Sequence, residues 1–501
     1  MTPTEVELKL LLPGADARTV EQTLARLPAL ASLPRRSRWL WNRYFDTPAQ
    51  DLRRQRSALR LRCVSERAWP AGATEPPPGD WIQTFKTAGV SQGGLSRRGE
   101  WESHVASGVL DRAALAATPW SESDPDGQLF DQLQPCFDTR CHRVTWLLER
   151  PNGARIEVAL DSGEIAAGDR TLPMIELELE LQAGDTAALF AFARQIAAEL
   201  AVLPCDISKA ERGYALAKGL AHLPAQARAT RLPPQVTPLE AARLAMGEML
   251  EQFTRNLSGL LHADDPELVH QARVAWRRWR SATRLLRPWL PELPARELLR
   301  PLLDALGLLR DLDVARTATL PAWLADFSGS DLQRQQLADM ALDTLEQAGN
   351  AQRTLARQRL SQPATGLGLL GLAEWLHGLS SDDTGPSRQQ AERDWARARI
   401  SRLQRRLDRA LAACALDDAT AQQRHQARLL AKRTRYSVET LSDLLPEKQA
   451  RHWIEASSRA QHRIGAERDL LRGIELLREL GQPRELLDFL RGVAAARRRD
   501  G

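Results

Sequence analysis

The chain has 501 residues, 27% of them charged and 43% hydrophobic, with a formal net charge of +5. That length allows roughly two to four domains with full cores, and the composition excludes a disordered or collagen-like chain. No apolar run approaches the ~20 residues of a membrane span, and five cysteines (Cys63, Cys136, Cys141, Cys205, Cys414) without CxxC spacing give neither a zinc site nor a disulfide framework.

The first residues pass straight into charged strand sequence with no basic and apolar leader, so a reduced, cytoplasmic chain is expected. In chain order, period-two stretches predict strands at 5–11, 39–46, 58–64, 81–87, 98–105, 141–149, 154–160 and 174–181. Eight strands are enough to close a barrel. Helical pieces at 17–27 and 185–200 interrupt them, and "AWPAGATEPPPGD" (68–80) reads as a Pro/Gly loop. "HLPAQARATRLPPQVTP" (222–238) is a Pro-rich linker. Beyond it the period becomes helical to the end.

These signals give an α+β N-terminal part at 1–218 with strands enough for a barrel, then a linker at 219–236. An all-α part follows at 237–501. "SSDDTGPS" (380–387) splits the helical part into halves at about 237–380 and 388–501, and the halves repeat. "VHQARVAWRRWR" (269–280) and "RHQARLLAKRTR" (424–435) share HQARxxx[RK]RxR, and each precedes a second shared element, "LGLLRDLD" (306–313) and "IGAERDL" (464–470). Two motifs in one order at similar spacing mark a duplicated helical unit. From Thr237 onward there are 41 Lys and Arg against 35 Asp and Glu, with Lys432 and Lys448 the only lysines; before it the balance is 28 against 29.

In the first part the charges fall on single strand faces. Glu5, Glu7 and Lys9 alternate with Val6, Leu8 and Leu10; Arg60 with Arg62, Arg98 with Glu100 and Glu102, and Glu176 with Glu178 and Glu180 do the same. Lys86, Arg143, Glu157 and Asp161 sit in similar patterns. A solvated sheet face is the plain alternative. Nearly pure acidic or basic faces, strand by strand, suit instead a charged interior in which carboxylates hold a hard divalent cation and Arg/Lys hold phosphate oxygens. Such an interior fits a metal–polyphosphate complex.

"EVELKL" (5–10) resembles the ExExK signature of the CYTH, or triphosphate tunnel metalloenzyme, superfamily. "YFDTP" (44–48), "ALRLR", "QTFK", "RGEWE", "EVALDSGEI" (157–165), "PMIELELEL" and "SKAERGY" (208–214) follow in the order of that family across about 1–218. The resemblance implies an eight-stranded antiparallel β-barrel, a tunnel that cleaves or cyclises triphosphates with Mg²⁺ or Mn²⁺. It implies Glu5, Glu7, Asp161, Glu176 and Glu178 as metal ligands, with Glu180 as the alternative to one of the last two. Lys9, Arg60, Arg62, Lys86, Arg143 and Lys209 would hold the triphosphate, and Glu5, Glu7, Lys9, Arg98 and Glu100 would serve catalysis. Arg140 and Glu102 stand beside matching positions.

In the helical part His270, Arg273, Arg277 and Arg280 fall at i, i+3, i+7 and i+10, and His425, Arg428, Lys432 and Arg435 repeat this. At 100° per residue each set spans about 80°, one basic stripe. A solvated charged face would explain one stripe; two on corresponding helices would line a groove for a long polyanion. One histidine per stripe among arginines is a poor metal site, and Asp311, Asp313 and Asp469 are expected to pair with nearby arginines. This part resembles the CHAD domain over about 237–497, which implies two pseudo-symmetric helical-bundle halves that bind inorganic polyphosphate. Nucleic acid is disfavoured because Trp276 and Trp279 read as core. The combined expectation is an inorganic triphosphatase, a hydrolase giving diphosphate and phosphate, fused to a polyphosphate-binding module, with no membrane partner and a place at polyphosphate granules. Thiamine-triphosphatase or adenylate cyclase activity, or a non-catalytic polyphosphate scaffold, are the alternatives.

Overall fold

The computed structural model describes residues 4–499 apart from 71, 77, 234–235, 295, 380–385 and 415–419. The break expected at 380–387 therefore falls mostly outside the described residues, and within 464–470 side chains are described from Arg468 onward. Two compact units emerge, Met1–Leu223 with Leu360–Glu374, and Pro224–Arg359 with Trp375–Gly501. Among the described residues no helix is long and apolar enough to cross a membrane.

The first unit is built on ten strands: β1 (Thr4–Leu11), β2 (Arg35–Asp46), β3 (Ala58–Ser65), β4 (Asp80–Lys86), β5 (Val90–Gln92), β6 (Leu95–Val105), β7 (Gln134–Glu149), β8 (Arg155–Ala167), β9 (Arg170–Ala183) and β10 (Leu203–Pro204). Their order is β10-β1-β9-β8-β7-β2-β3-β4-β6-β5, and β1 also pairs with β6. That pairing closes eight antiparallel strands into a barrel, with β5 and β10 added at its rim. Each predicted strand is present. β2 and β7 run longer than their alternation suggests: Arg35–Arg38 extend β2 by pairing with Arg143–Trp146, and Gln134–Arg140 extend β7 by pairing with Trp41–Asp46.

The outer face of β1 and β9 is the apolar one: Leu8, Leu10, Leu177 and Leu179 are fully buried. Helix α4 (Ala187–Glu199) packs on β9 and buries Leu189, Phe190, Phe192 and Ile196. Full burial of a Leu or Phe contributes about 1.5–3 kcal/mol, so the apolar face must look outward under helices and the charged face inward. Its other α-helices before Leu223 are α1 (Ala17–Arg26), capped by Asp16, the one-turn α2 (Asp51–Arg54) and α3 (Trp120–Ser123), and α5 (Lys209–Ala217). α5 packs against β7, β8 and β9. A Cβ on Gly213 would strike the Phe137 ring, so the glycine of "SKAERGY" lets this helix seat.

The second unit is helical: α6 (Pro238–Leu260), α7 (Pro266–Leu286), α8 (Arg300–Val314), α9 (Pro321–Ser328), α10 (Leu332–Leu360), α12 (Pro386–Cys414), α13 (Ala421–Thr440), α14 (Glu447–Glu479) and α15 (Arg484–Arg499), with α11 (Pro363–His377) shared by sequence between the units. The repeated motifs lie on α7 with α8 and on α13 with α14, and α7 packs against α13. The repeats share one core: Leu312, Leu320, Leu324, Phe327, Leu345, Leu470, Leu477 and Leu490 pack together. Trp276 and Trp279 are buried and stacked, which is the core role expected of them.

Candidate functional site

Strand register places the charged side chains of the barrel interior. On β1, Glu5 lies opposite Arg98 of β6, Glu7 opposite Glu180 of β9, and Lys9 opposite Glu178. On β8, Glu157 faces Glu180 and Asp161 faces Glu176. Burial is severe: Glu7, Lys9, Arg60, Asp161, Glu176 and Lys209 are all buried. Charges taken out of water persist only when paired and hydrogen-bonded, and here they are.

On one side Arg98 bridges Glu5 (Nε to Oε2, 2.7 Å) and Glu7 (Nη2 to Oε1, 2.7 Å). Lys86 Nζ lies 3.2 Å from Glu5 and 2.8 Å from Glu100. Arg60 reaches Glu100 at 3.3 Å and Glu102 at 3.4 Å, while Arg62 donates to Asn42 Oδ1 at 2.7 Å. Burial would raise Glu100, but Lys86 and Arg60 prevail and hold its carboxyl down to about 2. Glu102, beside the motif in sequence, is therefore part of the lining. Arg140 is not: its guanidinium stacks over the Trp41 ring, 4.4 Å from the centroid, and pairs with Glu164 at 3.5 Å.

On the other side Asp161, Glu176 and Glu178 each offer an oxygen within 4.8 Å of the others. Arg143 grips Asp161 with two bonds (2.7 and 2.6 Å) and reaches Glu178 at 2.7 Å. Lys209 Nζ lies 2.7 Å from Asp161 and 2.8 Å from Glu178, and also pairs with Glu176, as does Arg212. Burial pushes Asp161 up, yet Arg143 and Lys209 bring it down to about 2, and Glu178 is likewise held well below its ordinary value, against burial, by Lys209 and Arg143. The sequence patterns do not single out Arg212, although its place one turn after Lys209 puts both on one face of α5.

The five carboxylates expected to bind metal form two groups linked by Lys9. Asp161, Glu176 and Glu178 converge; Glu5 pairs with Arg98 and Lys86, and Glu7 pairs with Arg98 and with Lys9, whose Nζ lies 3.2 Å from Glu7 and 3.7 Å from Glu178. Glu180 is different again: burial, then Glu5, Glu157, Glu100 and Glu7, push it up to about 7. An all-oxygen set of three convergent carboxylates suits a hard divalent cation. Tyr44 is also drawn in; burial would raise its phenol, but Arg60, Lys86 and Lys209 lower it.

In the helical unit α7 and α13 bring the two stripes together in part. The His270 imidazole is lowered by burial, then by Arg310 and, more weakly, by Arg277 and Lys432. His425 is lowered by burial, then by Arg468, Arg428 and Lys432. Lys432 falls to about 7 through burial and then Arg277 and Arg428. One cationic cluster therefore includes His270, Arg273, Arg277, His425, Arg428 and Lys432, joined by Arg310 of α8 and Arg468 of α14, which the stripe spacing does not reach. Arg280 and Arg435 stand apart: Arg280 feels Arg284 and Arg296, and Arg435 pairs with Glu439 at 3.5 Å. Arg273 lies against Gly307, where a Cβ would sit 3.0 Å from its Nη1, so the glycine of "LGLLRDLD" makes room for the guanidinium. The motif aspartates pair with arginines: Asp311 with Arg472 (3.1 Å), Asp313 with Arg353 (3.4 Å) and Asp469 with Arg428 (3.3 Å).

Comparisons with known proteins agree with this division. The CYTH domain family model matches residues 3–214 and the CHAD domain family model residues 244–478. An inorganic triphosphatase of Haemophilus influenzae is 31% identical over 213 residues, 42% of this chain and 54% of that protein, so the chain spans about half the length of this curated relative. Among solved structures, the CHAD domain from the plant Ricinus communis is 27% identical, covering 56% of this chain and 93% of the other, with a TM-score of 0.47. A putative adenylyl cyclase from Hippeastrum, said to reveal a dominant triphosphatase activity, is 20% identical, covering 44% and 98%, with a TM-score of 0.32. The chain carries a CYTH domain followed by a CHAD domain.

Proposed function

We propose that the barrel hydrolyses inorganic triphosphate to diphosphate and phosphate with Mg²⁺ or Mn²⁺, and that the helical unit binds inorganic polyphosphate. The observation that carries the first part is the interior of the closed barrel, where the Asp161, Glu176 and Glu178 oxygens converge beside Arg143 and Lys209 and opposite Lys86, Arg60 and Arg98. Asp161, Glu176 and Glu178 would hold the divalent ion, which supplies Lewis-acid neutralisation of phosphate oxygens. Lys9, Arg60, Arg62, Lys86, Arg143 and Lys209 grip the three phosphates with charge-assisted bonds that strengthen as charge spreads in phosphoryl transfer. Glu5, Glu7 and Glu180 face that region and orient the attacking water, with Arg98 and Glu100 fixing their positions. The setting is cytoplasmic, at polyphosphate granules, and the working domain division is 1–218, 219–236 and 237–501. Because both compact units are discontinuous in sequence, tests use the full chain.

Phosphate release from triphosphate, thiamine triphosphate and ATP, each with Mg²⁺ or Mn²⁺ and with chelator, is the decisive assay. Triphosphate should be the best substrate, with activity lost on chelation and restored by the ion. No release under any condition would leave the barrel as a binding scaffold. In the same assay Arg60→Ala with Arg62→Ala should weaken triphosphate: each bond to a charged group contributes about 1.5–3 kcal/mol, so kcat/KM should fall at least about tenfold. An unchanged kcat/KM would remove both arginines from the substrate grip.

Lys432 makes polyphosphate binding depend on pH. With its pKa down at about 7, the free protein loses this cation as pH rises through neutrality, and a bound polyanion draws the proton back. Affinity at fixed ionic strength should therefore fall between about pH 6 and 8, with proton uptake on binding, and Lys432→Arg should flatten the profile because Arg stays charged. Calorimetry in buffers of different ionisation enthalpy measures the uptake; none at pH 7.5 would contradict it.

A further inference from the structure

A second group of arginines lies further along α7. Arg284 follows Arg277 by seven residues, which returns it to the same helix face about 10 Å along the axis. Here α12 comes alongside: Arg399 Nη2 donates to the Arg284 main-chain carbonyl at 3.4 Å. On the neighbouring pair, Leu407 of α12 packs with Ala431 of α13, with Leu411 and Leu430 against them, which fixes Arg406 and Arg433 on adjoining helices.

The surroundings of Arg433 are uncompensated. After burial, the groups acting on its guanidinium are Arg284, Arg406 and Arg399, all cations, with no carboxylate of the described residues among them. Its Nε is buried and has no hydrogen-bond partner among the described residues. In the first cluster, by contrast, Asp311 and Asp469 stand among the arginines. Arg284, Arg406 and Arg433, gathered from three helices with no carboxylate of the described residues acting on Arg433, repel one another, and an anion that bridges them removes that cost. The forked guanidinium donors match phosphate oxygens.

We propose that Arg284, Arg406 and Arg433, with Arg399 beside them, form a second anion site that takes the phosphates of a polyphosphate chain beyond the Arg277–Lys432 cluster. This rests on the polyphosphate reading of the helical unit. The shared face of α7 supplies the path: one chain lying along it meets Arg273 and Arg277 first and Arg284 next. The ligand class is a condensed phosphate, since the converging groups are guanidiniums that recognise oxyanions.

The test is long-chain polyphosphate binding by the full chain at several salt concentrations, comparing wild type with Arg284→Gln/Arg406→Gln/Arg433→Gln. Affinity should fall about tenfold or more and the salt dependence should become shallower, because fewer ion pairs form. Triphosphate turnover should be unchanged. A control that removes the same charge elsewhere, Arg300→Gln/Arg334→Gln/Arg491→Gln, should stay within about twofold of wild type. Equal losses in the two triple variants, or no loss in the first, would overturn the proposal. Should the first variant lose its helical circular dichroism, Arg433→Lys keeps the charge and removes the fork. A several-fold loss of affinity in that variant then supports the site, and an unchanged affinity overturns it. If the triple variant loses single-stranded DNA but keeps polyphosphate, the site is for nucleic acid and the proposal falls. A wild-type chain that binds no polyphosphate refutes the underlying reading; one that binds it through the first cluster alone refutes only this inference.

Discussion

Glu5→Gln together with Glu7→Gln should reduce phosphate release from triphosphate at saturating divalent ion by at least about a hundredfold, and should also lower the melting temperature of the barrel. The alternation in "EVELKL" alone suggests that two glutamates on one buried face repel, so that neutralising them would let stability fall little or even rise. The structure reverses that sign. Arg98 donates to both carboxylates at 2.7 Å and Lys86 reaches Glu5 at 3.2 Å, so the pair is held by cations rather than strained by itself. Removing the carboxylates leaves a buried guanidinium with its main partners gone, a loss of about 3–5 kcal/mol in comparable cases, or roughly ten degrees in a unit of this size. Adding Arg98→Gln to the double variant should recover much of the stability and none of the activity. Near-normal phosphate release by the double variant, judged at a temperature where it is folded, would remove Glu5 and Glu7 from catalysis.

The barrel is legible in the sequence because its two faces are chemically opposite. Leu8 and Leu10 alternate with Glu7 and Lys9, and a closed sheet with charge inside and helices outside keeps that period intact along β1, β3, β6 and β9. Where both faces are polar the signal vanishes. Arg35–Arg38 carry no alternation, yet they extend β2 through pairing with β7, a long-range partner that no local pattern reveals. The interior charges follow from the same period, including Lys86, Glu100 and Arg143. Lys209 does not, since a lysine on a short helix is ordinarily solvated; only "SKAERGY" points to it, and nothing local points to Arg212 one turn later. Spacing alone also cannot divide the metal candidates, because the distance between β1 and β8 side chains depends on how the barrel closes. In the helical unit the 100° arithmetic places Arg280 and Arg435 on the stripes. What it cannot supply is the facing helix: Arg310 and Arg468 come from α8 and α14, and they, not the ends of the stripes, surround Lys432 and the histidines.

Replacing Arg273, Arg277, Arg428 and Lys432 by Ala should eliminate polyphosphate binding while the ligand-free protein melts no lower than wild type. Binding of a polyanion is driven by ion pairs and counterion release, so it should weaken steeply with salt in the wild type and be absent in the variant. The stability prediction runs against the usual outcome for partly buried residues. Burial, followed by neighbouring cations, lowers Lys432 to about 7, and Arg273 and Arg428 are lowered by burial with cationic neighbours as well. In each case the folded protein disfavours the charged form, which means these cations cost stability until an anion arrives. Alanine removes that cost and is the better helix former; against it stand the lost Arg428–Asp469 pair and the packing of Arg273 on Gly307. Asp469 is not deeply buried and can be rehydrated, so the balance favours the variant. The measurement is thermal unfolding with and without long-chain polyphosphate: wild type should gain stability with ligand by mass action, and the variant should start at least as high and gain nothing. A variant that still gains stability from polyphosphate would place the binding surface elsewhere. If single-stranded DNA at physiological salt stabilises the wild type as strongly as polyphosphate does, the cluster recognises phosphodiester chains, and the arginines must then be assigned to nucleic acid.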